Sequence, residues 1–364
     1  MRICHITSVH PRYDIRIFVK ECKALATAHE VSLIVADSLG NEYKDGINII
    51  DIGKVTGGRL KRMLLTARAI YSQVMELQPH VVHFHDPELM SIGRKIAAQG
   101  IKVIYDVHED VPKQVMNKHW IPKLLRPVIS SVVAWQEKYT AQKISGIVAA
   151  TEIIANRFKK YNQHTTAIHN YPILAELTKV DVVWEARNLE LCYLGSISET
   201  RGIIPLLDAL GQKNLTLELA GPYSNTEITT KIEQHANRNL VHYHGILNRD
   251  AVTKLLSQVK IGIVTLLPTP SYVESLPIKL LEYMLAGIPV VASDFKLWQQ
   301  YVKANNCGLM VNPENPTEIA KACSYLLENP ALAKQMGENG RQAVMKHYTW
   351  EQEQKKLLVF YHSI

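Results

Sequence analysis

Glu274-Ser275-Leu276-Pro277-Ile278-Lys279-Leu280-Leu281-Glu282 runs on through Tyr283 and Gly287 into Ile288-Pro289-Val290-Val291-Ala292-Ser293-Asp294. The stretch reads as a loop, a helix start and then a buried strand. Pro277 suits the first turn of a helix, where its missing N–H leaves nothing unsatisfied. Ser275 is the candidate N-cap. The free N–H groups of such a turn favour an anion in front of them. Glu274 at the mouth and Glu282 two turns along can each accept hydrogen bonds from sugar hydroxyls. Two glutamates at this spacing mean little by themselves. The whole run suits a ligand made of a sugar, a diphosphate and a ribose.

Working outward from this strand, short apolar runs alternate with helical periodicity along the chain. They are 3–8, 31–36, 81–85, 103–107 and 146–149 in the first half, and 191–194, 215–220, 241–243, 261–264 and 290–292 in the second. Near-continuous apolar strands separated by helices imply parallel sheets covered on both faces. The expectation is an α/β chain of two doubly wound, Rossmann-like domains facing a cleft, with ligands at the carboxyl ends of the strands. Domains are expected at 1–170 and 188–345, joined by a linker at 171–187. A last helix, 346–364, follows Thr349 as its possible N-cap.

The 364 residues suit about two domains. A hydrophobic fraction of 47% is that of a globular chain with a sizeable core. No apolar run reaches the length of a spanning helix, and Met1–Thr7 lacks the apolar stretch of a signal peptide, so a cytoplasmic protein is expected. The five scattered cysteines show no ligand spacing, and neither zinc nor any other metal is expected. Residues 1–170 carry 23 Lys and Arg against 15 Asp and Glu. That basic half suits an anionic partner or an ordinary solvated surface. No basic-aromatic motif points to nucleic acid.

Gly195-Ser196-Ile197-Ser198-Glu199-Thr200-Arg201-Gly202 follows the first strand of the second half. Glycine after a strand lets backbone approach a phosphate, and Arg201 can grip a diphosphate with two prongs. In the first half, Val81-Val82-His83-Phe84-His85-Asp86-Pro87-Glu88 and Tyr105-Asp106-Val107-His108-Glu109-Asp110 end two strands with clustered polar groups. Groups at strand carboxyl ends are placed for chemistry. His-x-His puts both rings on one face while Asp86 points away, which weakens a metal reading. Arg12 and Arg16, in the loop that also holds His10, suit either an acceptor phosphate or surface ion pairs. Two basic amphipathic stretches, Arg59–Leu65 and Lys118–Arg126, suit either a membrane headgroup boundary or ordinary core helices.

The run 274–294 resembles the donor-site signature of retaining glycosyltransferases of family GT4, E-[GS]-x-P-x-x-x-x-E-A/Y-M-A-x-G-x-P-V-V-A-[ST]-D. Residues 195–202 are similar to that family's G-R-L-x-x-x-K-G loop, with Arg201 at the lysine position and Ser196 where arginine is usual. Leu217–Pro222 and Tyr243-His244-Gly245-Ile246-Leu247 look like its strand–Gly run and its turn near the nucleotide base. The resemblance spans nearly the whole chain and is tightest at 274–294. It implies a GT-B fold whose final helix crosses back to the first domain.

The same resemblance implies that Glu282 binds the ribose and Glu274 the transferred sugar. The amides around Ser275 and Leu276 hold the diphosphate, alongside Gly195, Ser196 and Arg201. Gly245 and Ile246 lie near the base, and His108 lies beside the transferred sugar. Lys279 either supplies the cation that Ser196 lacks or is a surface lysine. The first loop, Ser8–Arg16, has a His-Pro-x-x-Asp-x-Arg form in place of the common Gly-Gly. His10, Arg12, His85 and Asp86 are the acceptor-side candidates.

The function expected is metal-independent transfer of a sugar, with no cofactor. The donor is a nucleotide diphosphate sugar, UDP-sugar favoured. The acceptor is a glycan or polyprenyl-diphosphate-linked glycan of bacterial surface polysaccharide synthesis, reached at the inner-membrane surface. A UDP-sugar 2-epimerase of the same fold and a non-catalytic glycan- or lipid-binding scaffold are the rivals.

Overall fold

The computed structural model describes residues 1–117, 121–177 and 183–364. Lys118, His119 and Trp120 of the second basic stretch, the side chains of Arg59 and Leu60 in the first, and residues 178–182 of the expected linker lie outside that description. The chain divides into two compact units, Met1–Asn170 with Gln352–Ile364, and Tyr171–Glu351. The described residues read above as linker pack into the second unit. Tyr171 lies in its core, and the buried Arg187 donates to the carbonyls of Leu256, Val259 and Ala286 at 2.6–2.7 Å.

The sheet of the first unit contains β1 (Arg2–Ile6), β2 (Glu30–Val35), β3 (Glu42–Lys44), β4 (Ile47–Asp51), β5 (Val81–Phe84), β6 (Lys102–Val107), β7 (Gly146–Ala149) and β8 (Thr165–Ala167). Their order is β3-β4-β2-β1-β5-β6-β7-β8, and only the β3–β4 pair is antiparallel. That hairpin turns on Asp45 and Gly46, both at positive φ (51° and 79°), which a tight two-residue turn demands. The winding reverses between β1 and β5, the point where such sheets open a crevice for ligands. Alternation along the strands sends Cys4, Ile6, Val82, Phe84 and Tyr105 into one apolar core. The opposite face receives His5, His83 and Asp106.

The second sheet contains β9 (Leu189–Leu194), β10 (Leu217–Ala220), β11 (Val241–Tyr243), β12 (Val259–Val264), β13 (Val290–Ser293) and β14 (Gly308–Val311). All pairings are parallel in the order β11-β10-β9-β12-β13-β14, the doubly wound pattern whose switch point lies between β9 and β12. Separate apolar clusters fill its two faces. The helix Ile278–Leu285 is fixed by Tyr283. Its ring lies on Gly262, where a Cβ would come within 2.4 Å of it. Its hydroxyl accepts from the Leu194 N–H at 2.8 Å and donates to the Cys192 carbonyl at 3.2 Å. Lys279 and Glu282 therefore ride on a helix bolted to β9.

Candidate active site

In the second unit the carboxyl ends of β9, β10 and β11 each turn on a glycine at positive φ: Gly195 (108°), Gly221 (139°) and Gly245 (69°). The Gly195 and Gly221 loops are stacked closely, with no room for a side chain at Gly221. A Cβ on Gly221 would lie 2.1 Å from the Gly195 carbonyl oxygen, and the Gly221 N–H donates to the Gly245 carbonyl at 2.7 Å. Gly202, at φ 74°, precedes the helix Ile203–Lys213, and a Cβ there would sit 1.8 Å from the Thr265 carbonyl beyond β12. The Gly195 loop is thus pinned at the switch point.

Two cations converge on it. A Cβ on Gly195 would lie 3.7 Å from Nη1 of Arg201 and 4.0 Å from Nζ of Lys279. Lys279 is buried, which removes the surface-lysine reading. Its Nζ lies 3.6 Å from the Tyr193 ring centroid and has no hydrogen-bond partner among the described residues. Burial, and then the charge of Arg201, push the Lys279 ammonium well below the ordinary lysine range. A buried, unpaired cation beside a second cation is costly, and an anion in front of both would relieve it.

The glutamate helix differs in detail from the sequence expectation. It starts at Ile278 with Pro277 at the N-cap position, and Ser275 does not cap it. The Ser275 amide donates to the Tyr272 carbonyl at 3.3 Å and its hydroxyl donates to the same oxygen at 3.4 Å. The Ser275 carbonyl accepts from the Trp298 indole at 2.6 Å. The Ser275 N–H is therefore spent within its own turn, while Leu276 packs on the core. Glu282 is held by Arg249 at 2.7 Å, and Arg249 also pairs with Glu176. Arg249 and Tyr193 went unread in the sequence, because neither stands in a local pattern with the residue it serves. Ile246 is exposed beside Gly245.

In the first unit, the carboxyl ends of β1 and β5 meet at Asp86. Its carboxylate accepts from the Ser8 N–H at 2.6 Å and the Thr7 hydroxyl at 2.8 Å, and pairs with Nδ1 of His10 at 3.0 Å. Burial alone would raise the Asp86 carboxyl, but the hydrogen bond and charge of His10, with these donors, hold it down at about 2. Burial likewise works against protonated His10, and Asp86 overrides it, raising the imidazole above its ordinary value. A few ångströms on, Nε2 of His108 meets Oδ2 of Asp106 at 2.8 Å. Asp106 is gripped by Arg16 through Nε at 2.8 Å and Nη2 at 2.7 Å. His10 and His108 face each other with ring centroids 5.2 Å apart, and both keep an exposed edge.

Three acceptor-side candidates are buried, Arg12 among them in the ion pairs that were one of its two readings. Arg12 is buried and commits its guanidinium to Asp37 at 2.8 Å, Glu42 at 2.9 Å and the Gly40 carbonyl. It clasps the ends of β2 and β3 and has no face left for a phosphate. His85 is buried beneath His108, its Nδ1 3.1 Å from Asp106. Asp86 is buried beneath His10. Each lies under a histidine that keeps an exposed edge, His85 under His108 and Asp86 under His10. Arg16 and Asp106 went unread as a pair, because 90 residues separate them.

Metal-ligating groups do gather here: His5, Glu21, His83 and His85 form one buried cluster, and His85, Asp106 and His108 another. Arg16 reaches both, bidentate on Asp106 and 3.2 Å from Glu21. A guanidinium there already supplies the positive charge that a cation would bring.

Residues 176–343 match the family model described as "Glycosyl transferases group 1", and residues 16–171 match "Glycosyltransferase Family 4". The chain belongs to this glycosyltransferase group and is a glycosyltransferase. Alpha-D-kanosaminyltransferase of Streptomyces kanamyceticus is 22% identical over 284 residues, 73% of this chain and 71% of that protein. Sucrose-phosphate synthase of Thermosynechococcus elongatus superposes with a TM-score of 0.76 at 17% identity, covering 100% of this chain and 98% of the other. HepE of Anabaena, solved in complex with UDP and glucose, superposes with a TM-score of 0.74 at 14% identity, covering both chains completely. The fold is GT-B, with two Rossmann-like domains.

Proposed function

We propose that the protein moves a sugar, with retention of configuration, from a UDP-sugar to a glycan or polyprenyl-diphosphate-linked glycan in bacterial surface-polysaccharide synthesis. The observation that carries the donor assignment is the convergence of Arg201 and Lys279 on the Gly195 backbone at the switch point of the second sheet. Two cations beside close-approach backbone suit a diphosphate better than any uncharged ligand. Lys279 supplies the charge that Ser196 does not. UDP in the HepE complex supports uracil as the base.

In the reaction, the acceptor hydroxyl oxygen bonds to the anomeric carbon as the bond from that carbon to the β-phosphate oxygen breaks. The departing diphosphate accepts the hydroxyl proton on the same face. Arg201 and Lys279 hold the charge that develops on the leaving phosphate, a preorganised role that needs no metal ion or cofactor. Glu274 orients the transferred sugar and Glu282 the ribose. His108, kept in one orientation by Asp106, hydrogen-bonds a sugar hydroxyl, and His10 meets the acceptor.

Calorimetric titration with UDP and GDP, first without metal and then with Mg²⁺, tests this reading. Metal-independent binding of UDP is expected. Absence of binding by either nucleotide would overturn the donor site.

A further inference from the structure

Among the described residues, the helix Arg126–Ala141 is held on one side only. Thr140 accepts from Arg94 at 2.6 Å, Ser130 donates to the Pro112 carbonyl at 2.9 Å, and Glu137 is buried against Arg157. The opposite side, with the short turn Lys123–Leu125 leading into it, exposes Leu124, Leu125, Val128, Val132, Trp135 and Tyr139. Leu124 is 91% and Trp135 61% exposed. The spacing of three or four residues places these side chains along one face. The Trp135 and Tyr139 rings lie parallel with centroids 5.7 Å apart. A contiguous apolar face of this kind on a water-facing helix marks a binding surface.

Charge identifies the occupant. Residues 111–143 carry six Lys and Arg against one acid, Glu137, whose carboxylate is turned inward to Arg157. Lys123, Lys138 and Lys143 are exposed around the apolar face. Aliphatic side chains with Trp and Tyr, ringed by cations and free of exposed acids, match the boundary between anionic headgroups and acyl chains. A protein partner with an acidic rim would need a matching apolar knob; a bilayer supplies both layers everywhere.

We propose that this face docks the first unit on the surface of an anionic phospholipid bilayer, inserting Val128, Val132 and Trp135 at headgroup depth. The inference deepens the lipid-linked acceptor reading and rests on it for its biological purpose, but not for its physics.

The test is co-sedimentation of the full chain with phosphatidylcholine vesicles and with phosphatidylcholine–phosphatidylglycerol vesicles, for wild type and a V132S/W135S variant. UDP titration is run on the same samples. Wild type is expected to bind the anionic vesicles, to bind the zwitterionic ones far less, and to lose affinity as salt rises. The variant should partition at least about tenfold more weakly, because a Trp and a Val leave the buried face. Both changes are at exposed positions, so circular dichroism and UDP affinity should be unaltered. No binding to anionic vesicles, or equal binding by the variant, would overturn the proposal. So would a concentration-dependent dimer that the variant abolishes, because the face would then serve a second copy. Loss of UDP binding with vesicle binding intact would overturn the donor site alone.

Discussion

Replacing Lys279 by Met should push stability and ligand affinity in opposite directions. Met keeps the stem's volume against Tyr193 but removes the ammonium. In the free protein that ammonium is buried, has no hydrogen-bond partner among the described residues, and faces Arg201. Removing it relieves the desolvation of an unsatisfied polar group, about 1–3 kcal/mol, less what its contact over the Tyr193 ring returns. The second unit's melting transition should therefore rise, by roughly 2–4 °C per kcal/mol for a domain of this size. With a diphosphate bound, the same ammonium makes a charge-assisted hydrogen bond of about 1.5–3 kcal/mol. Its loss should weaken UDP by about 10- to 150-fold.

Protonation adds a further sign. The folded pKa of Lys279 is depressed below its unfolded value, so its destabilising effect is complete below the folded pKa. That effect fades as pH rises towards the unfolded value. Bound phosphate would raise the pKa again, so UDP binding should take up a proton between the free and bound values. Differential scanning calorimetry, with UDP titrations in buffers of different ionisation enthalpy, reads all three effects. A variant that melts lower while binding UDP with wild-type affinity would make Lys279 a packing residue and take it out of the donor site.

Arg201→Ala should mainly lower kcat in a donor-hydrolysis or transfer assay, since its charge matters most as the phosphate departs; an unchanged kcat with a raised KM would assign it to ground-state binding. Glu282→Ala should weaken UDP by about tenfold or more and free Arg249; wild-type UDP affinity in that variant would remove Glu282 from the ribose site. Asp86→Asn should lower the His10 pKa, visible by NMR titration. It should also remove stability that is present above the unfolded Asp pKa and lost as pH falls through about 2, and the His10 share that is present below about 6.5 and lost as pH rises through its raised pKa. Gly202→Ala should destabilise the second unit by about 1–3 kcal/mol or more, because it combines positive φ with a Cβ 1.8 Å from the Thr265 carbonyl; an unchanged melt would mean that the loop relaxes freely.

The two parallel sheets were legible because buried strands betray themselves as apolar runs. All ten runs read from the sequence form strands. β3 and β4 escaped, although Asp45-Gly46 is a strong hairpin signal and Ile47-Asn48-Ile49 alternates beside it, because Glu42-Tyr43-Lys44 offers no apolar run to pair with. β8 escaped because Thr165-Thr166-Ala167 is not an apolar run, and β14 because it opens on a glycine. In β14, Gly308 replaces a β-former where a Cβ would fall 2.1 Å from the Val290 carbonyl.

At the site, local sequence shows which chemistry lies at the strand ends: glycines after β9 and β11, the two glutamates of the 274–294 run, and histidines after β5 and β6. Local spacing suffices for these, because turn geometry and strand period act over a few residues. Which of those charges stay open is set by packing between distant segments. It enclosed Arg12 between Asp37 and Glu42, sank His85 and Asp86 beneath His108 and His10, and spent the Ser275 amide in its own turn. It also buried Lys279 beside Arg201, 78 positions away. Whether a charge is paired, buried or open to a ligand depends on neighbours across the sheet, and no local pattern in the chain encodes that.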